Sequence, residues 1–351
     1  MRPDISPVRS ILVIKPRAAG DVVLATPALR NLRRAYPSAV IDFLTESPFA
    51  DLVRGNPDVT HVVVHDRARM SGLDLIRSVR RRRYEMVIDL FGNPRTALVT
   101  FLSGARVRVG YRFRGRQYAY TMLVEPRGAS VHNVQFNLDA IEALGVPVAD
   151  RSPVVPFSAN DEEYIDGFLA SIGGPGGPLV GVNSAGGWYT KRWGVRRFAQ
   201  LCDRLVADHG CSVLLTWGPG EREHVESIRN EMREPSFIPP PTTFPQLAAL
   251  LKRCDFVVSN DTGPMHIAAA VGTPVLGIYG PTNPALQGPY GDAHVTVRNE
   301  GLTCLGCNLT SCPIGHPCME ELTVPVVLSA FLRLRDAHAG GAGGAAGAAP
   351  R

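Results

Sequence analysis

The sequence predicts an α/β protein of two doubly wound parallel-sheet domains facing each other across a cleft, and three observations predict it. Short, near-continuous apolar runs alternate with amphipathic stretches from residue 10 onward, the pattern of parallel strands covered on both faces by helices. A proline- and glycine-rich region running from VPVADRSPVVP (146–156) to GGPGGP (173–178) interrupts the alternation, which then starts again. A length of 351 residues suits two domains with a core each.

In chain order, strands are expected at SILVIKP (10–16), AVIDFLTE (39–46), HVVVHD (61–66) and YEMVIDLFG (84–92), with helices between them over VVLATPALRNLRRAY, PFADLVRGN and LDLIRSVRRRR. DEEYIDGFLASI is a helical piece within the boundary region. The second half offers strand-then-loop units at PLVGVNSAGG, CSVLLTWGPGE, DFVVSNDTG and PVLGIYGP. Helices over VRRFAQLCDRLVADHG, EREHVESIRNEM, FPQLAALLKRC and PMHIAAAVG separate them. The domains are therefore set at 1–160 and 161–336, and the Gly/Ala-rich tail 337–351 is expected to be disordered. In such sheets ligands bind at the carboxyl ends of the strands.

Composition narrows the setting. With 45% hydrophobic and 20% charged residues the chain is expected to be soluble and globular. No signal-peptide h-region precedes the first strand, and no apolar run approaches the ~18 residues of a membrane span. Seven cysteines in so long a chain do not resemble a secreted disulfide framework, so the cytoplasm is the expected compartment. The net charge is +5, unevenly placed: residues 1–150 hold 22 Lys and Arg against 14 Asp and Glu, leaving 15 against 18 in the remainder. RSVRRRR (77–83) and RVRVGYRFRGR (106–116) carry much of that excess. Such runs are either solvated faces or the footprint of an anionic partner, a phosphorylated lipid at a membrane surface or a nucleic acid. No helix-turn-helix, zinc-finger or RNP pattern accompanies the charge, which speaks against nucleic acid.

Two stretches share a strand–turn–helix layout that favours anions, because free N–H groups and the positive end of the dipole meet at a helix N-terminus. In KPRAAGDVVLATPAL, Ala18-Ala19-Gly20 turns into a helix, yet the residue that follows is Asp21, which would repel a phosphate. In SNDTGPMHIAAAVGTPVLGIYGP (259–281), Asp261-Thr262-Gly263 turns into a small-residue helix with Thr262 suited to the N-cap and His266 one turn in. That turn is either a diphosphate site or an ordinary capped helix. Upstream, NSAGGWYTKRWGV (183–195) holds Lys191, one of only three lysines, the others being Lys15 and Lys252. TWGPGEREH (216–224) places Glu221 at a helix start, as a ribose ligand or as a first-turn carboxylate that complements the dipole.

The chain resembles glycosyltransferase family 9, the ADP-heptose:lipopolysaccharide heptosyltransferases. The resemblance rests on KPRAAGDVVLATPALRNLRRAYP, TKRWGVRRFAQL and SNDTGPMHIAAAVGTPVLGIYGPTNP, in that order. It implies a GT-B fold, with the acceptor on the first Rossmann-like domain and the nucleotide-sugar donor on the second. It also implies inverting transfer with no cofactor and no metal for the chemistry. Asp21 matches the family's general base, and an ordinary carboxylate is ionised at neutral pH and able to accept a proton. Lys191 matches the lysine near the donor's diphosphate, Thr262 and Gly263 the backbone donors, and Asp261 and His266 the rest of that pocket. Ser184, Thr190 and Glu221 are further donor-side candidates; Arg17 and Gly20 fall on the acceptor side. The implied partners are ADP-heptose, an anionic lipid-linked saccharide of the lipopolysaccharide core and, peripherally, the inner-membrane surface, whose cytoplasmic face such an acceptor would imply. A protein hydroxyl as acceptor and another nucleotide sugar as donor stay open. So does a non-catalytic nucleotide-sugar binder, against which the joint presence of Asp21 and Lys191 argues.

CLGCNLTSCPIGHPCM gathers Cys304, Cys307, Cys312 and Cys318, with His316 among them. C-x2-C followed by two further cysteines has the composition of a structural zinc or iron site, and equally that of free thiols or a disulfide pair. Cys202, Cys211 and Cys254 sit in apolar patterns and are expected in the core.

Overall fold

A computed structural model describes residues 8–128 and 130–339. The chain divides into two compact units: residues up to 158 together with 243–248, and 159–242 together with 249 onward.

The first unit runs β1 (Ser10–Ile14), α1 (Ala19–Val23), α2 (Thr26–Ala35), β2 (Val40–Glu46), β3 (His61–His65), α3 (Gly72–Arg81), β4 (Met86–Asp89), α4 (Pro94–Leu102), β5 (Val107–Tyr111), β6 (Met122–Val124) and α5 (Asn133–Ala143). All six strands are parallel in the order β3-β2-β1-β4-β5-β6. Ile11 to Ile14 of the central strand are wholly buried, which requires cover on both faces and explains the unbroken apolar run.

Two expectations change. VVLATPALRNLRRAY is not one helix: α1 ends at Val23 and α2 starts at Thr26. Pro27 offers no N–H and its ring would clash with the carbonyl of Val23, which takes the Thr26 hydroxyl instead at 2.7 Å. PFADLVRGN forms a 3-10 turn over Ser47–Leu52 rather than an α-helix. RVRVGYRFRGR contains the strand β5, in which Val107 and Val109 are buried while Arg108 satisfies the carbonyls of Ala119 and Ala105.

The second unit contains α6 (Ala159–Ser171), β7 (Leu179–Asn183), α7 (Val195–Ala207), β8 (Ser212–Leu215), α8 (Arg222–Glu231), α9 (Phe244–Arg253, whose first residues belong to the other unit), β9 (Phe256–Asn260), α10 (Gly263–Ala270), β10 (Val275–Ile278), α11 (Pro284–Gln287), β11 (Val295–Val297), α12 (Pro317–Glu320) and α13 (Val324–Ala339). Its five strands are again parallel, in the order β11-β10-β9-β7-β8. Trp193, Phe198 and Phe331 pack in its core, and the Trp193 indole donates to the Leu322 carbonyl at 2.7 Å. Residues 337–339 of the expected tail continue α13; the rest of that tail lies outside the described residues.

Each sheet reverses its strand order once, between β1 and β4 in the first unit and between β7 and β9 in the second. Loops leaving neighbouring strands at such a point diverge and open a crevice at the carboxyl ends.

Candidate active site

In the second unit the loops after β7 and β9 meet at the reversal point. Asp261, on the loop after β9, is 4% exposed and accepts from Lys191 Nζ at 2.7 Å and from the Thr282 hydroxyl at 2.6 Å. The Lys191 ammonium also lies 4.6 Å from the centre of the Trp188 ring. A carboxylate, itself held by a hydroxyl, and an aromatic face thus aim one cation.

Thr262 stands at the N-cap of α10, but its hydroxyl makes no capping bond. It accepts from Asn183 Nδ2 at 2.6 Å and lies 3.3 Å from the Asn260 carbonyl. The first-turn amides of α10, starting at Gly263, are left without that side-chain cap and can receive an anion. Asn260 Nδ2 donates to the Ser184 carbonyl at 2.7 Å and ties the two loops together. Among the described residues neither Ser184 Oγ nor Asn260 Oδ1, both buried, has a hydrogen-bond partner. A buried orphan hydroxyl costs free energy unless a ligand or water supplies its partner. His266 is buried one turn into α10.

Glu221 sits at the N-cap of α8, where its Oε2 accepts from Gly218 N at 2.8 Å. His224, one turn on, has Nε2 3.3 Å from the Ser184 carbonyl, and burial holds its imidazolium pKa below the ordinary value. Thr190 turns the other way: its hydroxyl donates to the Leu309 carbonyl at 2.8 Å and its own carbonyl bonds His316 Nε2. Its side chain therefore braces the turn bearing Lys191 against the cysteine-rich segment.

In the first unit, Asp21 lies in the first turn of α1, half-buried, with Oδ2 accepting from Ala18 N at 3.2 Å. The carboxylate caps its own helix, which accounts for an acid at that turn. Gly20 precedes it and Arg17 is exposed ahead of the helix. Lys15 is buried beside them, donating to the Leu90 carbonyl at 2.9 Å and to Asn137 Oδ1 at 3.1 Å. Burial lowers its pKa, opposed by the charges of Asp21 and Asp89. Asp89 is wholly buried and accepts from Phe91 N, Gly92 N and the Tyr120 hydroxyl; burial pushes its pKa up.

Thr282, Asn183, Asp89 and Asn137 had no signal of their own, since each is recognisable only by the partner the fold brings to it. Lys15 was visible as one of three lysines beside a candidate loop.

The cysteine-rich segment carries Cys304 and Cys307 exposed, Cys312 half-buried and Cys318 buried, all as free thiols. They share a neighbourhood: the Cys318 thiol is pushed up to about 11 by burial and then by Cys307, Cys304 and Cys312. Among the described residues, no three His, Cys, Asp or Glu side chains stand in an arrangement that could hold a metal ion. Cys202, Cys211 and Cys254 are core residues, as expected.

Residues 73–316 match glycosyltransferase family 9 (heptosyltransferase). Lipopolysaccharide heptosyltransferase 3 of Escherichia coli is 28% identical over 292 residues, covering 78% of this chain and 84% of its own. Among solved structures, the glycosyl transferase family 9 protein of Veillonella parvula DSM 2008 superposes with a TM-score of 0.84 at 23% identity, over 93% of this chain and 97% of its own. The ADP-heptose lipopolysaccharide heptosyltransferase II of E. coli gives 0.75 at 22%, over 94% and 99%. Two parallel-sheet units with their loops at the reversal points, together with a family match over most of the chain, lead to one conclusion: the protein belongs to glycosyltransferase family 9, the heptosyltransferases, and is a glycosyltransferase of GT-B fold.

Proposed function

We propose that this glycosyltransferase moves heptose from ADP-heptose to a lipid-linked saccharide of the lipopolysaccharide core, with inversion and without a metal ion in the chemistry. The observation that carries the reading is the arrangement at the start of α10. There the helix amides lack a side-chain cap, and Lys191 is aimed by Trp188 and by Asp261, which Thr282 in turn holds. A departing nucleotide diphosphate needs such fixed donors and such a cation as its charge grows. Asp261 acts through Lys191, because a carboxylate would repel the diphosphate itself. Ser184 Oγ supplies a hydroxyl in want of a partner, and Glu221, with one oxygen committed to Gly218, keeps its other for a ribose hydroxyl.

The acceptor hydroxyl oxygen attacks the anomeric carbon opposite the diphosphate. The new C–O bond forms as the bond to phosphate oxygen breaks, ADP leaves, and the hydroxyl proton passes to Asp21. One displacement inverts the centre with no covalent sugar–enzyme species. Arg17 and Gly20 line the approach of an anionic acceptor on the Asp21 side.

Asp21→Asn is expected to lower turnover by about 10²–10⁴ while leaving the ADP-induced rise in melting temperature unchanged. Near-normal turnover would remove Asp21 from the mechanism. A melting shift selective for a different nucleotide sugar would overturn the heptose assignment, and loss of transfer in a chelator would overturn its metal independence. A structural zinc or iron on the four cysteines would need their side chains to draw together from the arrangement described above. Metal analysis of the purified protein tests that role, and a metal-free preparation of full stability would dismiss it.

A further inference from the structure

The first unit carries a surface that the transfer chemistry does not use. Residues 72–118 contain eleven arginines against three carboxylates and no lysine. The structure places much of this charge around two neighbouring helices, α3 and α4, joined at their C-terminal ends where Arg80 donates to the Leu102 carbonyl. On α4, Leu98 and Phe101 lie one turn apart and point into solvent, 42% and 44% exposed. Tyr118, more exposed still, packs its ring edge-on against Phe101 at 5.5 Å. No helix register demands apolar side chains there: Ala97, Val99 and Thr100 of the same helix already fill its buried side.

Arg81, Arg83, Arg95, Arg106 and Arg114 are exposed, and among the described residues none has a carboxylate partner. Other arginines of this face are paired, Arg77 with Asp74 and Arg112 with Glu125, and elsewhere on the unit Arg54 pairs with Asp51, Arg67 with Glu46 and Arg69 with Asp66. An open groove beside Tyr118 is lined by Arg112 and Arg114. Unpaired guanidinium groups repel one another, so the arrangement is stable only in water and salt or against an anionic partner.

We infer that the α3–α4 face of the first unit docks this enzyme on an anionic lipid surface. Leu98, Phe101 and Tyr118 enter the headgroup region and the surrounding arginines pair with lipid phosphates. An apolar stripe flanked by unpaired arginines is the chemistry that a negatively charged interface recognises. No helix of the described residues is long and apolar enough to cross a membrane, so attachment of this kind works from the surface. The inference rests on a lipid-linked acceptor, and it names the face that meets the lipid.

The test uses the full-length protein and vesicles carrying no saccharide, so its result does not depend on whether heptose is the sugar transferred. Co-sedimentation is measured with phosphatidylcholine vesicles and with vesicles also containing phosphatidylglycerol, at low and high salt. Binding is expected only to the anionic vesicles and is expected to fall with salt. Arg81→Ser/Arg106→Ser should weaken it roughly 25-fold, at about five-fold per arginine, and Phe101→Ser should weaken it as well. Arg233→Ser, an exposed arginine of the second unit, should bind as the parent does. ADP release with a soluble acceptor should be unchanged in all of these variants. Equal binding to neutral vesicles, no binding to either, or full binding by the double-arginine variant would overturn the inference. Self-association abolished by Phe101→Ser without vesicle binding would assign the face to a second copy of the chain instead.

Discussion

The Lys191–Asp261 pair gives the sharpest test of the proposed donor site, because the proposal asks the two residues to hold each other in the free protein and to divide their work when a diphosphate arrives. Their side chains are 15% and 5% exposed and 2.7 Å apart. Lys191→Met removes the cation and leaves Asp261 buried as an anion with, among the described residues, the Thr282 hydroxyl as its remaining side-chain partner. Breaking a buried pair from one side costs about 3–5 kcal/mol, and the surviving hydroxyl bond places this case near 3. For a unit of this size that is a fall of about 6–12 °C in melting temperature. Asp261→Asn should cost less, about 1–2 kcal/mol, since Lys191 keeps the Trp188 ring and a path to water. With both changes the buried charge is gone, so the double variant should recover most of the Lys191→Met loss. The cycle should then return a coupling of about 3 kcal/mol. Urea unfolding of the four proteins supplies the numbers, and melting with and without ADP supplies the functional half. Lys191→Met should lose its response to ADP, whereas Asp261→Asn should retain a weakened one. A coupling below about 0.5 kcal/mol would refute the argument that Asp261 acts by aiming Lys191.

Other outcomes follow from individual contacts. Burial depresses the His224 pKa, so the unfolded chain takes up that proton first; stability should fall as pH drops through about 6.5, and His224→Gln should flatten the slope of urea midpoint against pH. A Cβ on Gly110 would stand 2.3 Å from the Tyr120 ring, whose hydroxyl holds Asp89, so Gly110→Ala should destabilise by about 1–3 kcal/mol in urea unfolding; an unchanged midpoint would show that β5 and Tyr120 yield freely. Iodoacetamide at about pH 8 should label Cys304 and Cys307 quickly and Cys202 and Cys254 only in denaturant, because burial raises both core thiols. Mass spectrometry of the labelled peptides would contradict this if Cys202 reacted as fast as Cys304.

The α/β class, most of the strands and the two loops that carry Lys191 and Thr262 were legible along the chain. Apolar periodicity and glycine–proline punctuation are local properties, and they select strand, helix or turn before any long-range contact forms. Local signals also misled. The run 22–36 has helical periodicity throughout, yet Pro27 splits it into α1 and α2. The arginines of 106–116 hid β5, because long side chains on a strand can reach back to carbonyls as Arg108 does. Thr262 has the identity of a capping residue but spends its hydroxyl on Asn183 and leaves the helix end without that cap.

What only the tertiary structure decided is who meets whom. Lys191 finds Asp261 seventy residues away, and Thr190 finds Leu309 across 119. Strand order sets those meetings, since β7 lies beside β9 and the loops of both leave at the point where the sheet reverses. Periodicity says that a strand exists and which faces it buries, but not which strand lies next to it. A chain's own residue order therefore predicts the pieces of this proposed donor site, whereas the pairing that turns a lysine into an aimed cation exists only after the sheet has formed.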